Sequence, residues 1–164
     1  MQSPIPYVLI LVAGVSISAC RQADGLVPTP SAEAQSEIGD ISRDLQSIAA
    51  REAQASADLA DDLRKYAEPT SLEPAIDELS RRTASAVAGS VLTGDTAQQL
   101  ANNLWVAVVA REMSKSQIES LQDDLMSVLM SAGIEEGRAQ PVAAEVEEIQ
   151  RLVTTRTRRW YEFF

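Results

Sequence analysis

Aliphatic side chains that recur every three or four residues constrain the fold of this chain more than any other sequence feature. In the first half they include Ile38, Ile41, Leu45 and Ile48. Residues at this spacing share one face of an α-helix, so the pattern predicts amphipathic helices that pack through one apolar stripe. Aromatic residues make up only 4% of the 164 residues, which disfavours a β-sandwich. We therefore expect an all-α fold, an antiparallel bundle of four or five helices.

The first helix is expected to be long, from about Ala32 to Ala67, because residues 32–67 contain no proline and a single glycine. It should end at Glu68, since the residue before a proline disfavours the helical conformation. Three later helix starts are predicted from pairs spaced as in a capping box, where a side chain at the helix start accepts a bond from a backbone N–H one turn on. These pairs are Thr70 with Glu73, Asp95 with Gln98, and Ser114 with Gln117.

The end of the fourth helix and the start of the fifth are predicted from glycine and proline. Gly133 is expected to end the fourth helix in the left-handed conformation that favours glycine. The fifth should begin near Gly137, because Pro141 is tolerated only in a first turn, and it should reach Trp160.

The second and third predicted helices resemble the fourth and fifth when the sequence is shifted by 42 residues. The identical positions are Ile76, Leu79, Ser85, Ala97, Gln98 and Ala101, which match Ile118, Leu121, Ser127, Ala139, Gln140 and Ala143. The similarity is either a duplicated helical hairpin or a chance match between helical sequences of low complexity. Both interpretations predict short connections between antiparallel neighbours.

The charge and the missing histidines exclude several classes of function. With 24 acidic and 14 basic residues the formal charge is −10, so nucleic acid is not an expected partner. The absence of histidine removes the commonest general base and transition-metal ligand. A nucleophilic serine would have to rely on Lys65 or Lys115, and neither lies in a serine–lysine motif. We expect a protein that is not an enzyme and needs no cofactor.

No metal site is predicted either. The clustered carboxylates lack the glycine-punctuated spacing of calcium loops and are expected on solvated helix faces. A buried carboxylate pair acting as general acid and base is the alternative. The methionines are interpreted as core residues in preference to a copper(I) site. The carboxylates are Asp61, Asp62, Asp123, Asp124, Glu145, Glu147 and Glu148, and the methionines are Met113, Met126 and Met130.

The N-terminal segment is typical of export. Residues 7–17 form an apolar run of eleven, too short to span a bilayer but suited to the core of a signal peptide. The sequence Ile17-Ser18-Ala19-Cys20 resembles the lipobox of bacterial lipoproteins. The resemblance implies transfer of diacylglycerol to the Cys20 thiol, cleavage before Cys20, and acylation of the new amino terminus.

Residues around this segment give the expected location and one alternative. Arg21 stands where an aspartate would retain many lipoproteins at the inner membrane, so the resemblance implies an outer-membrane protein that faces the periplasm. Residues 1–6 contain no lysine or arginine, unlike most signal peptides, and a buried N-terminal helix with an incidental cysteine is the alternative. The expected organisation is a signal peptide at 1–19, a lipidated tether at 20–31 and a helical bundle domain at 32–164.

A second resemblance lies at the start of the fourth predicted helix. Residues Met113-Ser114-Lys115-Ser116-Gln117 look like a relaxed form of the LTxxQ motif of small helical periplasmic stress proteins. The resemblance implies a chaperone-like role. Metal sensing in that family rests on histidine-rich sites, so that role does not carry over to a chain without histidine.

Basic and aromatic residues are concentrated at the C-terminus of this acidic chain. Arginine beside aromatic rings is typical of either a lipid headgroup interface or a contact with a protein partner. We favour the protein partner, and the expected contact residues are Arg158, Arg159, Trp160, Tyr161 and Phe164. The alternative is that these rings fold back and close the bundle. The expected partners are thus a membrane, through the lipid on Cys20, and a protein, while the oligomeric state stays open.

Overall fold

The computed structural model describes residues 30–51, 54–65, 67, 72–111 and 113–161, and it describes side chains as far as Val153. Over these ranges the chain is all-helical, which confirms the predicted fold class, with six helices in place of four or five. They are α1 (Ala32–Ala49), α2 (Ala55–Arg64), α3 (Glu73–Val87), α4 (Gly94–Val109), α5 (Lys115–Ser131) and α6 (Glu136–Tyr161). The first begins at Ala32, where the predicted tether ends.

The expected long first helix was wrong, because α1 and α2 are separate. Arg51 adopts a left-handed conformation with φ 65° and turns the chain. The carbonyl of Ala49 accepts a hydrogen bond of 3.1 Å from the N–H of Gly89, in the turn after α3. The break lets α2 fold back, so that Leu59 and Leu63 are buried in the same core as the apolar face of α1. A contact far along the chain therefore overrides the local helical preference.

The helices pack in a closed ring in the order α1, α2, α3, α6, α5 and α4, and α4 packs again on α1. Residue pairs between α3 and α6 show that these two helices are antiparallel. Arg82 contacts Glu145 and the carbonyl of Pro141, whereas the later residue Ser85 accepts a bond from the earlier residue Arg138. The core inside the ring is aliphatic and includes the fully buried residues Ile41, Leu45, Leu59, Ile76, Leu79, Leu100, Leu104, Leu125 and Leu129.

Two of the three predicted capping pairs were wrong. At α4 the N-cap is Thr93, whose extended backbone lets its hydroxyl accept a bond of 3.2 Å from the N–H of Thr96. Asp95 lies in the first turn instead, where a negative charge is favoured by the helix dipole. At α3 the N-cap is Leu72, and Pro74 fits the first turn because no N–H is needed there. Thr70 lies outside the described residues.

The third capping pair and the predicted end of the helix at Gly133 are confirmed. Ser114 and Gln117 form a reciprocal capping box, in which the N–H of Ser114 donates to Gln117 Oε1 over 2.8 Å and the N–H of Gln117 donates to Ser114 Oγ over 3.4 Å. Gly133 follows α5 with φ 76°. A residue with a Cβ is strained at this φ, so the position favours glycine.

The position of Pro141 within α6 differs from the prediction. The helix begins at Glu136 and reaches Tyr161, as expected, but Pro141 lies past the first turn. Proline removes the hydrogen bond to the carbonyl four residues earlier, that of Gly137. Gly137 is exposed, so water can bond that carbonyl instead. Arg138 also anchors this segment by donating to the carbonyls of Ser85 and Ala88 over 2.7 and 3.2 Å.

The 42-residue similarity extends to the helix starts and to burial. The starts of α3 and α5 are 42 residues apart, and so are the starts of α4 and α6. Matched positions are buried in both halves, as with Leu79 and Leu121, and with Leu104 and Val146. The pairing differs, because α5 and α6 pack on each other whereas α3 packs mainly on α2 and α6. The similarity therefore lies in the helices and their buried faces.

Candidate functional site

The predicted site residues fall at the limits of the described chain. Cys20 and Phe164 lie outside the described residues. Arg158, Arg159, Trp160 and Tyr161 lie in the last turns of α6, where the backbone is described and the side chains are not. The structure therefore describes the helical backbone as far as Tyr161. The contacts of these four side chains with a partner stay a prediction.

The backbone of α6 continues beyond the helix beside it. The short turn after α5 makes α5 and α6 antiparallel neighbours, and α5 has 17 residues whereas α6 has 26. Counted from the turn, the start of α5 lies level with about Leu152. At 1.5 Å per residue, the remaining turns of α6 extend about 13 Å further. The arginine-rich tail, residues 156–164, thus begins beyond the level of the first residue of α5.

The start of α1 and the end of α6 lie at the same end of the bundle. Helix α2 runs antiparallel to α1, because Lys65 at its end approaches Glu37 near the start of α1. The end of α2 meets the start of α3, where Arg64 pairs with Asp77. Because α6 is antiparallel to α3, its C-terminus returns to this end. The predicted tether and the tail therefore leave the bundle on one side.

A second feature is an acidic cluster between α1 and α2, formed by Glu37, Asp40, Asp44, Asp58 and Asp62. Carboxylate oxygens of Glu37, Asp40 and Asp62 lie within 4.8 Å of one another. The expectation that Asp62 would be solvated was wrong, because its side chain is only 15% exposed. The residue before it, Asp61, is exposed and pairs with Arg64.

A lysine already supplies positive charge to the acidic cluster. Lys65 Nζ lies 2.6 Å from Asp62 Oδ1 and 3.8 Å from Glu37 Oε2, and Arg43 pairs with Asp40. Hard cations such as calcium take six or more oxygen ligands from a shaped loop. The three carboxylates on two regular helices form a poorer ligand set than that, and the ammonium group is already bound to two of them.

A further carboxylate differs from its predicted environment. Glu145 was expected on a solvated face, but it is buried between α3 and α6, and Arg82 Nε lies 3.0 Å from its Oε1. Burial raises the pKa of Glu145, and the guanidinium of Arg82 offsets part of that rise. Asp44, whose pKa is also raised, lies between α1 and α2. The two groups belong to different helix pairs and do not form an acid–base dyad.

The motif that resembles LTxxQ lies in the connection between α4 and α5. Besides its capping box, its first residue is held by Gln150 of α6, which accepts a bond of 3.3 Å from the N–H of Met113. The same amide donates to the carbonyls of Ala107 and Ala110 over 3.3 and 3.0 Å. In this structure the motif therefore starts α5, and its first residue is bound to α6.

Sequence reasoning missed the residues of the acidic cluster on α1. Asp40 and Asp44 lie three and seven residues after Glu37, a spacing that places all three along one side of a helix. This signal was available in the sequence. The approach of Asp58 and Asp62 was not, because it depends on the break between α1 and α2.

No family model, characterised protein or solved structure matched this chain. Among the described residues, none of the helices is long and apolar enough to cross a membrane.

Proposed function

We propose that this protein is an exported lipoprotein that is anchored through Cys20 and holds a protein partner at the periplasmic side of a bacterial outer membrane. The observation that carries the proposal is the shared end of the bundle from which the tether and the tail leave. A partner bound by the tail would be kept on the side of the bundle that faces the anchor.

The length of the tether sets how far the bundle can stand from the bilayer. Eleven residues, 21–31, separate Cys20 from the start of α1. Fully extended, they span at most about 40 Å. The tail extends from the same end of the bundle, so its partner would be a protein in the membrane or close to its surface.

The chaperone-like alternative has less support. Binding of unfolded clients requires an exposed apolar surface. Two large hydrophobic residues are exposed in the described part of the chain. Val91 is 82% exposed and Met130 is 51% exposed. Val91 follows α3 and Met130 lies in the last turn of α5, so they belong to separate elements.

The experiment removes the tail from the full-length, acylated protein. Deletion of residues 156–164 should abolish co-purification of the partner from detergent-solubilised membranes, while the helical circular dichroism and the unfolding midpoint change little. Val91→Ala is the matched control, because it removes an exposed apolar side chain from the body and should leave co-purification intact. If the truncated protein unfolds, the tail belongs to the core and the proposal fails.

Anchoring is tested separately with Cys20→Ser. This variant should appear in the soluble fraction after cell disruption, because two or three acyl chains provide attachment that the polypeptide lacks. A variant that stays with the membranes would contradict anchoring through Cys20. The role of the tail would still be tested by the deletion experiment.

A further inference from the structure

The turn between α1 and α2 lacks the residues that normally end one helix and start the next. Arg51 adopts the left-handed conformation that usually falls to glycine at a helix end, and among the described residues it is the one non-glycine with a positive φ. After α5 the corresponding residue is Gly133. The N-cap of α2 is Gln54, whose side chain makes no capping bond. The residues of this turn therefore do little to hold it.

Contacts with the turn after α3 hold the break instead. The N–H of Gly89 donates to the carbonyl of Ala49 over 3.1 Å. The guanidinium of Arg51 lies against Gly89, so that a Cβ at Gly89 would be 2.6 Å from Arg51 Nη2. Both Gly89 and Arg51 are exposed, and water can replace these contacts. We call Ala50 and Arg51 the hinge between α1 and α2.

The sequence across the hinge favours one continuous helix. Residues 50–54 read Ala-Arg-Glu-Ala-Gln, and each of these residue types is a good helix former. In a continuous helix the last carbonyls of α1 would accept bonds from the first N–H groups of α2, which a helix end leaves without partners inside the helix. Arg51 would also leave its left-handed conformation. Joining the two helices therefore removes backbone strain and adds hydrogen bonds.

A joined helix would carry α1 away from the body of its own chain. Helix α2 also packs on α3, so it would stay in place, and the 18 residues of α1 would project about 27 Å beyond it. The buried face of α1, with Ile38, Ile41 and Leu45, would then be exposed, as would the surfaces of α2 and α4 on which it packs. Each of these two apolar surfaces fits the other, so a second copy of the chain can cover both.

We propose that two copies of this chain form a dimer by exchanging α1. In the dimer α1 and α2 of each copy are one helix, and α1 packs on α2, α3 and α4 of the other copy through the contacts that it makes within one chain in the monomer. Exchange of an identical element requires no new surface. It places the tether of each copy at the same end as the tail of the other. The exchange depends neither on the lipid anchor nor on the partner of the tail.

The two lysines of the chain provide a test that distinguishes exchange from any other association. Lys65 Nζ of α2 lies 3.8 Å from Glu37 Oε2 of α1, and Lys115 Nζ lies 3.6 Å from Glu119 Oε1 within α5. A carbodiimide condenses such an amine and carboxylate to an amide and takes up the released water as a urea. In the monomer both links join residues of one chain. In the exchanged dimer the link between Lys65 and Glu37 joins two chains, whereas the link in α5 still joins one.

The experiment uses equal amounts of unlabelled and ¹⁵N-labelled full-length protein, unfolded together in urea and refolded at high concentration in detergent. The dimer fraction is treated with carbodiimide, and the linked peptides are identified by mass spectrometry. Random pairing makes half of the dimers mixed, so half of the links between Lys65 and Glu37 should join unlike isotopes. The links between Lys115 and Glu119 should always join like isotopes.

The hinge is tested with Arg51→Gly. Glycine adopts a positive φ without strain and disfavours a continuous helix, so both effects favour the monomer. The dissociation constant of the dimer, measured by sedimentation, should rise by about a hundredfold, which is about tenfold for each of its two hinges. Arg43→Gly is the matched control, because Arg43 is exposed inside α1 and glycine there weakens α1 equally in both forms. Its dissociation constant should equal that of the unmodified protein.

Three results would overturn the proposal. One is a protein that refolds only to monomer. Another is a dimer whose links between Lys65 and Glu37 all join like isotopes, because such a dimer associates through a different surface. The third is an equal dissociation constant for Arg51→Gly and the unmodified protein. If Arg51→Gly does not fold, the isotope pairing in the unmodified protein decides the question.

Discussion

Replacement of Gln150 by leucine should destabilise the bundle by about 2–4 kcal/mol. The side chain is 1% exposed and joins α6 to the end of α4 through the carbonyls of Ala107 and Ala110 and the N–H of Met113. Ala107 and Ala110 are themselves buried. Leucine would fill nearly the same space but could not donate to either carbonyl. Each buried polar group left without a partner costs about 1–3 kcal/mol, and extra apolar burial offsets part of the sum.

Urea unfolding followed by circular dichroism at 222 nm measures this loss. The midpoint should fall by roughly 1–2 M with an unchanged slope, since slopes for domains of this size are about 1–3 kcal/mol per M. Gln140→Leu is the matched control, because Gln140 lies on the same helix and is exposed. Its effect should stay within about 0.5 kcal/mol. If the two variants unfold at the same urea concentration, the bonds made by Gln150 do not stabilise the fold and the reasoning is refuted.

Three further substitutions test the packing, the glycine stop and the capping box by the same unfolding assay. Leu104→Ala should cost about 2–5 kcal/mol because it opens a cavity in the core, whereas Met130→Ala on the exposed face should cost less than about 1 kcal/mol; equal losses would contradict the assigned core. Gly133→Ala should cost about 1 kcal/mol because alanine is strained at φ 76°, and no loss would argue against that conformation. Ser114→Ala should cost about 0.5–2 kcal/mol because α5 loses its cap, and Ser116→Ala, two residues later, is a control that keeps the cap.

The sequence was most informative about helix ends that depend only on residues within that helix or next to it. The capping box at Ser114 and the stop at Gly133 depend on backbone groups within a few residues, and both are confirmed. The aliphatic spacing likewise predicted the buried face of α1, which includes Ile38, Ile41, Leu45 and Ile48. Local geometry suffices for such features, because their partners are nearby in the chain.

Features that depend on distant residues could not be predicted. The break after Ala49 depends on the N–H of Gly89, forty residues later, while the local sequence favours a continuous helix. Pro141 is accommodated because Gly137, whose carbonyl loses its partner inside the helix, is exposed and can bond water. At Ala49 a tertiary contact, and at Gly137 exposure to water, satisfies the carbonyl that the regular helix would have satisfied.

The same distinction applies to the candidate sites. The acidic residues of α1 can be aligned on one face from their spacing, but their approach to Asp58 and Asp62 follows from the antiparallel packing of α2. The shared end from which the tether and the tail leave also follows from the directions of four helices. Only the identity of Cys20 and of the tail residues could be taken from the sequence alone.

The central claim, that the protein is a lipid-anchored bundle, is tested most directly by the mass of the N-terminal peptide from protein purified out of its native membrane. The account predicts a mature chain that begins at Cys20 and carries a thioether-linked diacylglycerol, with a further acyl group on the amine. A mature chain that begins at Met1, with an unmodified thiol at Cys20, would contradict it.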